Sequence, residues 1–207
     1  MFIELAEHVR CTEPHEDTFC VLATDEIVDR QIITGTVGCP ACSKEYPIVE
    51  GVLRCAERIP RDESSEIIAD AAAVWALLGI ESPGGFVSLI GTAVRYAGAL
   101  SALMGDVHFV GINGPSDTSI SKSLSLVECR DKIPMRDGFC RGVVVGPEYC
   151  DDHFLKASAR LLLNAQRMVA LSGKVKIDEV ELVAEGGGMW VGAKSRYRST
   201  SGTDART

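Results

Sequence analysis

Four residues near the start of the chain have side chains that bind transition metals, and their spacing is typical of a zinc site. Cys39 and Cys42 are separated by two residues, which is the spacing of a tight turn that presents two thiolates to one zinc ion. Cys11 and His15 lie upstream and can supply the other two ligands of a tetrahedron. The sequence therefore predicts a Cys3His site for a structural Zn2+ ion.

Other interpretations of these residues stay open. His8, Cys20 and Cys55 are possible substitutes for one of the four ligands. The segment could also be a ribbon fold that has lost its metal and is held by its own core. A redox-active dithiol at Cys39 and Cys42 is the third hypothesis, although no helix obviously begins there to lower a thiol pKa.

The cysteines as a whole indicate a reducing compartment. The first ten residues include charged side chains such as Glu4 and Arg10, a pattern that argues against a secretory signal. A Cys-x2-Cys pair in a reducing compartment is more often metal-binding or redox-active than a disulfide. Cys129, Cys140 and Cys150 have no paired spacing and are interpreted as small buried hydrophobic residues.

Composition and charge exclude several classes of protein. The 207 residues are 46% hydrophobic and 24% charged, so the chain can bury a core and is not disordered as a whole. Its net charge of −8 argues against wide contact with a phosphate backbone, and no nucleic-acid partner is expected. No stretch reaches the roughly 18 apolar residues of a membrane-spanning helix. We expect a cytoplasmic protein without a transmembrane segment of its own.

Local patterns divide the chain into three parts. Residues 1–60 are acidic and contain short β-type runs, which predicts a small zinc-ribbon-like β domain that folds with help from a metal or a neighbour. Residues 62–195 alternate strand and helix patterns, which predicts an α/β fold: a doubly wound, mostly parallel sheet with a C-terminal antiparallel hairpin. Residues 196–207 form a polar tail.

Apolar periodicity predicts the elements of the second part. One helix begins at a capping Ser64 or Ser65 and runs to about Leu78. The other predicted helices are 93–104 and 152–171. The predicted strands are 86–90, 107–112, 124–127, 142–145 and 175–177, followed by a hairpin of 179–184 and 189–194.

Three segments of the first part resemble the Trm112-like zinc-ribbon family. They are residues 11–16 (Cys-Thr-Glu-Pro-His-Glu), 35–42 (Gly-Thr-Val-Gly-Cys-Pro-Ala-Cys) and 45–52 (Glu-Tyr-Pro-Ile-Val-Glu-Gly-Val). The resemblance covers about residues 8–55, and Cys-Pro-x-Cys followed by Tyr-Pro-Ile and a glycine is its strongest element. Members of the family commonly act as obligate partners and stabilisers of methyltransferases. The resemblance therefore implies protein binding rather than catalysis for this part.

Next to such a ribbon, residues 65–195 are similar to the class I methyltransferase fold. The similarity implies an S-adenosylmethionine pocket formed by Gly91, Thr92, Asn113 and Gly146. The loop that contains Gly91 has a single glycine, whereas close approach of the backbone to a cofactor favours several. Asn113 stands where the family has an acid for the ribose hydroxyls. The site therefore looks eroded, and no catalytic residue is assigned.

Two histidines of the second part are interpreted as structural. His153 follows Asp151 and Asp152 at a predicted helix start, where the acids cap the helix and complement its dipole. His108 lies inside an apolar strand pattern and is expected to be a satisfied core or edge residue.

These observations favour a non-catalytic binding or scaffold subunit, a pseudo-methyltransferase with a Trm112-like ribbon, that stabilises a larger protein assembly. The end of the chain carries four cations and one acid: Lys194, Arg196, Arg198, Arg206 and Asp204. Their net charge of +3 suits an acidic protein surface or an anionic membrane face. A membrane-embedded host complex is thus one option, with the chain peripheral on its cytoplasmic face. The alternatives are an active S-adenosylmethionine-dependent methyltransferase with a fused activator domain and a zinc-dependent nucleic-acid binder.

Overall fold

The computed structural model describes residues 1–57, 59, 61, 70–173 and 175–195, which contain eleven strands and three α-helices. The strands are β1 Val21–Val28, β2 Gln31–Gly38, β3 Glu45–Val49, β4 Val52–Arg54, β5 Phe86–Ile90, β6 His108–Ile112, β7 Leu124–Glu128, β8 Cys140–Val145, β9 Leu162–Ala170, β10 Val180–Gly186 and β11 Met189–Lys194. The α-helices are α1 Ala71–Leu78, α2 Ala97–Met104 and α3 Asp152–Leu161, and 3₁₀ helices cover Ile3–His8, Gly91–Tyr96 and Pro147–Tyr149.

All eleven strands belong to one sheet in the order β1-β2-β3-β4-β7-β6-β5-β8-β9-β11-β10. The six central strands from β4 to β9 pair in parallel, whereas β1 to β4 form an antiparallel meander. At the other end β11 pairs antiparallel with both β9 and β10. The predicted α/β class, with a parallel core and a C-terminal antiparallel hairpin, is confirmed.

The N-terminal meander joins the parallel sheet through β4 and β7. Leu53 of β4 pairs in register with Val127 of β7. Leu53 and Tyr46 are fully buried, in the same core cluster as Phe154 of α3. The division of the chain near residue 60 stays a prediction, and the segments on either side of it share one sheet and one core.

Helices cover both faces of the parallel strands. Val87 and Leu89 of β5 point into a cluster with α1 and α2, whereas Ile90 belongs to the cluster that contains α3. Because both faces are buried, these strands are continuous apolar runs rather than alternating patterns. This burial explains why the sequence predicts β5 to β8 well.

The first α-helix begins later than predicted. Asp70 has extended backbone and its carboxylate accepts a hydrogen bond of 2.7 Å from the Ala73 N–H, so it caps α1. Gly79, at a φ of 64°, ends the helix in the left-handed conformation. The predicted caps, Ser64 and Ser65, lie outside the described residues.

The prediction of one long helix over 152–171 is wrong. The helix α3 ends at Leu161, and the chain continues at once as β9. Met168, Val169 and Ala170 are all buried because β9 is paired with β8 on one side and β11 on the other. This pairing outweighs the helical propensity of the segment's Leu, Ala, Gln, Arg and Met residues.

Two smaller predictions also differ from the structure. Residues 175–177 form no strand, because both edges of β9 are already paired, although Ile177 is still buried in the core. The helix predicted to begin at Ala93 starts as the 3₁₀ helix Gly91–Tyr96 and becomes α-helical only at Ala97.

Among the helices that the structure describes, none is long and apolar enough to cross a bilayer. The polar tail 196–207, with its predicted docking role, lies outside the described residues.

We predict that the meander and the parallel sheet unfold together. Leu53→Ala should lower the free energy of unfolding by about 2–5 kcal/mol, because Leu53 is fully buried. In a Trp75→Phe background, which removes the second tryptophan, the midpoint measured by the fluorescence of Trp190 should shift with the midpoint measured by circular dichroism. Trp190 lies in the same core cluster as Leu53. Val49→Ala, at a site that is 38% exposed, is the matched control and should change little. An unchanged Trp190 midpoint in Leu53→Ala would show separate folding units.

Candidate functional site

The structure brings the four predicted zinc ligands together. The ligand atoms of Cys11, His15, Cys39 and Cys42 all lie within 4.8 Å of one another. Cys11 and Cys39 are buried, His15 is half-buried and Cys42 is exposed. The cluster therefore opens to solvent on one side only, which gives an ion a route of entry.

Two distances within the cluster match the edges of a tetrahedral zinc site. Bonds of about 2.3 Å to sulfur and about 2.0 Å to nitrogen give edges of about 3.8 Å between two sulfurs and about 3.5 Å between sulfur and nitrogen. Cys11 Sγ lies 3.7 Å from Cys42 Sγ, and Cys39 Sγ lies 3.5 Å from His15 Nε2. The edge from His15 Nε2 to Cys11 Sγ is shorter, at 3.1 Å. The donor set and its geometry fit Zn2+.

A hydrogen bond to the backbone orients the imidazole of His15. Its Nδ1 lies 2.7 Å from the Glu16 carbonyl oxygen. A carbonyl can only accept a hydrogen bond, so Nδ1 carries a proton and Nε2 is the atom that faces Cys11 and Cys39. A zinc-bound histidine commonly donates its other ring N–H to a carbonyl in this way.

The hydroxyl group of Tyr46 contacts Cys11 of the cluster and the neighbouring Thr12. Its hydroxyl oxygen accepts a hydrogen bond of 3.0 Å from the Thr12 N–H and lies 3.2 Å from Cys11 Sγ. Its O–H can therefore donate to the sulfur of Cys11, which stabilises a thiolate there. Because Tyr46 is also part of the core, it couples the cluster to the sheet.

The turn that holds Cys39 and Cys42 also tunes their acidity. Desolvation raises the pKa of the Cys39 thiol, but hydrogen bonds from the backbone of Cys42 and Ala41, together with those to the Cys11 and Cys42 side chains, outweigh it and lower the pKa to about 7. Thiolates are the form that binds metal. The local backbone thus favours the binding form of Cys39 near neutral pH.

The possible substitute ligands lie outside the cluster. His8 Nδ1 accepts a hydrogen bond of 2.7 Å from Arg136 Nε, and its ring packs edge-on against Phe86. Burial raises the pKa of the Cys20 thiol to about 12 and that of Cys55 well above its usual value. These environments favour neutral thiols over ligands.

The four residues of the predicted cofactor pocket meet at the carboxyl ends of the parallel strands. Gly91 and Thr92 follow β5, Asn113 follows β6 and Gly146 follows β8. In doubly wound sheets this edge is where ligands bind. The sequence prediction therefore placed these residues at the expected edge.

The chain's own Glu148 carboxylate lies against three of these residues, Gly91, Thr92 and Gly146. It accepts hydrogen bonds from the Thr92 N–H at 2.5 Å and from Thr92 Oγ1 at 2.9 Å. A Cβ on Gly91 would overlap the carboxylate and the Tyr149 ring, and a Cβ on Gly146 would lie 2.8 Å from Glu148 Oε2. The lack of a side chain at Gly91 and at Gly146 thus leaves space for the Glu148 carboxylate.

Asn113 is also engaged within the chain. Its side chain is buried, and its Oδ1 accepts a hydrogen bond of 2.8 Å from the Cys129 N–H. Its backbone is left-handed, with a φ of 51°, a conformation that asparagine tolerates better than most residues. Asn113 therefore links the ends of β6 and β7 inside the chain.

Arg61 covers the Glu148 segment from outside. Its Nη1 donates to the Glu148 carbonyl at 2.6 Å and to Asp151 Oδ2 at 2.7 Å. Its guanidinium lies over the rings of Tyr149 and Phe154. Neither Glu148 nor Arg61 was predicted from the sequence as a site residue. The Gly-Pro-Glu-Tyr run at 146–149 marks a turn, but only the fold shows that it folds back on Thr92.

Both histidines interpreted as structural have structural partners. Asp151 accepts a hydrogen bond from the Phe154 N–H and so caps α3, as predicted, while His153 Nε2 lies 2.7 Å from the Asp131 carbonyl. His108 lies 2.9 Å from the Ser125 hydroxyl. Burial lowers the pKa of His108 to about 4, so this ring is neutral at physiological pH.

Neither family models nor curated proteins match this chain. Among solved structures, the chain is similar to one from a complex between the Haloferax volcanii Trm112 methyltransferase activator and a methyltransferase, with 16% identity and a TM-score of 0.47 over 62% of this chain and 90% of that one. It is also similar to an S-adenosylmethionine-dependent methyltransferase from Aquifex aeolicus, with 13% identity and a TM-score of 0.44 over 60% and 88% of the two chains. A third, from Methanococcus maripaludis, has 12% identity and a TM-score of 0.45 over 62% and 85%. All three TM-scores are below 0.5 and all three identities are below 25%, so the conclusions below rest on this chain's own residues.

We predict that the purified protein contains about one zinc ion per chain. Cys39→Ser should remove most of the metal and lower the melting temperature, because it deletes one of four ligands and leaves a buried polar group. Cys20→Ser is the matched control, since Cys20 lies outside the cluster, and should keep the metal. Elemental analysis by plasma mass spectrometry measures both. A wild-type protein that takes up no zinc would contradict the site.

Zinc retention should fall as the pH falls. Binding requires the thiolate of Cys39, whose pKa is about 7, and the neutral ring of His15. The hydrogen bond to the Glu16 carbonyl, followed by that to Cys11, raises the pKa of His15. Protons therefore compete with the metal below about pH 7. Protein dialysed at about pH 5 should keep less zinc than protein dialysed at about pH 8, as measured by plasma mass spectrometry, and equal zinc contents would contradict this account.

Proposed function

We propose that the protein is a non-catalytic, zinc-stabilised binding subunit of a larger protein assembly, built on a methyltransferase-like fold. One observation carries the proposal: the Glu148 carboxylate lies on the turn after β5, where a methyltransferase would hold its cofactor. The two hydrogen bonds from Thr92 and the absence of side chains on Gly91 and Gly146 accommodate it. An internal carboxylate in that position competes with any cofactor for the same backbone groups.

The surrounding residues support the same conclusion. Asn113 is buried, and its oxygen accepts a hydrogen bond from the Cys129 N–H, so its side chain faces the protein interior rather than an open cofactor site. Arg61 closes over the segment that carries Glu148. A fold can persist after its binding chemistry is lost, because packing and ligand recognition depend on different residues.

Zinc has a structural role in this proposal. Four protein ligands complete the coordination of the ion and leave no open position for substrate, as in structural rather than catalytic zinc sites. Through Tyr46 the site stabilises the β1–β4 meander, which in turn extends the parallel sheet. In this proposal the partner is a protein and the location is cytoplasmic. The basic tail docks the subunit on a membrane-embedded complex.

Calorimetric titration with S-adenosylmethionine and S-adenosylhomocysteine tests the proposal. We expect no heat of binding and no thermal shift with the wild-type protein. Binding at micromolar strength, about −8 kcal/mol, would overturn the proposal and favour the alternative, an active methyltransferase with a fused activator domain.

A variant of Glu148 tests whether its carboxylate is part of the fold. Glu148→Ala should destabilise the protein by about 1–3 kcal/mol, because the Thr92 N–H loses a charged acceptor at a buried site. Glu128→Ala is the matched control, since it removes a half-exposed carboxylate whose only ion pair is the 3.6 Å contact with Arg54 among the described residues, and it should cost less than about 1 kcal/mol. If both variants have the same stability in denaturant titrations, Glu148 does not hold the turn.

A further inference from the structure

The first strand presents an unusually apolar edge to solvent. The strand β1 is at one end of the sheet, and seven of its eight residues are exposed. Val21 is 63% exposed, Val28 50% and Ile27 45%, and Phe19, just before the strand, is 61% exposed. Several large apolar side chains exposed along one edge strand favour an interaction partner.

The same segment carries a charge of one sign. Between Cys11 and Asp29 the chain has six acidic residues and no lysine or arginine. Arg10 pairs with Asp17, and Lys44 lies 4.0 Å from Glu13. The other four carboxylates are exposed and have no ion-pair partner among the residues that the structure describes: Glu16, Asp25, Glu26 and Asp29. The edge thus combines apolar side chains with unpaired negative charge.

The backbone of β1 is poorly suited to adding another strand. Its pairing with β2 is irregular between Thr24 and Glu26 and again between Glu26 and Ile27. Such bulges and edge charges interrupt the regular ladder that an added strand would need. Recognition at this edge must therefore depend mainly on side chains.

A second copy of the chain is a poor occupant of this edge. A two-fold interface uses the same surface on both subunits, so Asp25 and Glu26 would approach the same carboxylates of the other copy. Juxtaposed like charges are costly at an interface. The charge instead complements a basic segment of a different protein.

We propose that the β1 edge, defined as Phe19, Val21, Asp25, Glu26, Ile27 and Val28, is a docking surface for a protein segment in which basic and apolar residues alternate. Lysine or arginine side chains of the partner pair with the carboxylates, and its apolar side chains cover the exposed valines, isoleucine and phenylalanine. This inference rests on the proposed function, since it identifies the surface through which the subunit joins its assembly.

The opposite edge of the sheet provides a matched control. The strand β10 also exposes apolar and acidic side chains, including Leu182, Val183 and Glu181. Its neighbour β11 ends at Lys194, however, so the charge at that edge is mixed. Substitutions of the same type at β10 separate a specific effect from a general loss of negative charge.

Fluorescence anisotropy with two labelled synthetic peptides tests the docking surface on the full-length zinc protein. One peptide of about twelve residues alternates lysine and valine, and the other alternates glutamate and valine. The test variants are Asp25→Lys with Glu26→Lys, and Val21→Ser with Ile27→Ser. The control variant for the charge pair is Glu181→Lys with Glu185→Lys, and the control variant for the apolar pair is Leu182→Ser with Val183→Ser. All substituted side chains are exposed, and retained zinc and melting temperature verify folding.

We expect the basic peptide to bind the wild-type protein, and each test variant to bind it at least about tenfold more weakly. Each control variant should stay within about twofold of wild type. Binding should weaken with added salt, because the carboxylates are exposed. If a double variant loses its zinc, the single variant Asp25→Lys is used in its place. Its affinity for the basic peptide should be several-fold lower than that of the wild type.

Three results would overturn the inference. The first is that the β1 and β10 variants weaken binding of the basic peptide equally, which would show that the peptide responds only to the protein's negative charge. The second is equal binding of the acidic peptide. The third is a dimer in analytical ultracentrifugation that Val21→Ser with Ile27→Ser abolishes, since a second copy would then occupy the edge. Cofactor binding in calorimetry would instead overturn the proposed function without changing the peptide result, so the two failures are distinguishable.

Discussion

The parallel pairing of β4 with β7 is the contact on which the rest of the structure depends. It involves only three residue pairs, yet it converts a meander too small to fold alone into the continuation of a large sheet. Leu53 on β4 and Tyr46 on β3 are buried in the core that also contains α3. The metal cluster, which lies above Tyr46, is thereby held against the α/β part of the same chain.

At the carboxyl edge of the parallel strands, contacts within the chain hold the loops. The Glu148 carboxylate accepts from the N–H and hydroxyl of Thr92, Asn113 Oδ1 accepts from the Cys129 N–H, and Arg61 donates to the Glu148 carbonyl. These contacts are the basis of the function proposed above, in which recognition takes place elsewhere, at the β1 edge.

The sequence predicted those parts of the fold that depend on local pattern. The continuous apolar runs of β5 to β8 are visible because both faces are buried, and the hairpin of β10 and β11 is marked by its glycines. The pattern at 152–171 led to the wrong prediction of one long helix. Leu162–Ala170 has helix-forming residues and becomes a strand only because β8 and β11 pair with it. A segment whose state is set by distant strands cannot be assigned from its own residues.

For the candidate site, the sequence alone determined the identity of the four metal-binding side chains, because Cys-x2-Cys spacing in one turn already fixes half of a tetrahedron. It also located the residues at the ends of β5, β6 and β8. Only the tertiary structure decided what those residues do. The Glu148 carboxylate reaches Thr92 across 56 residues of chain, and no local pattern encodes that contact. Ligands carried on a single turn can be recognised from spacing, whereas the occupant of a pocket depends on the packing of every element around it.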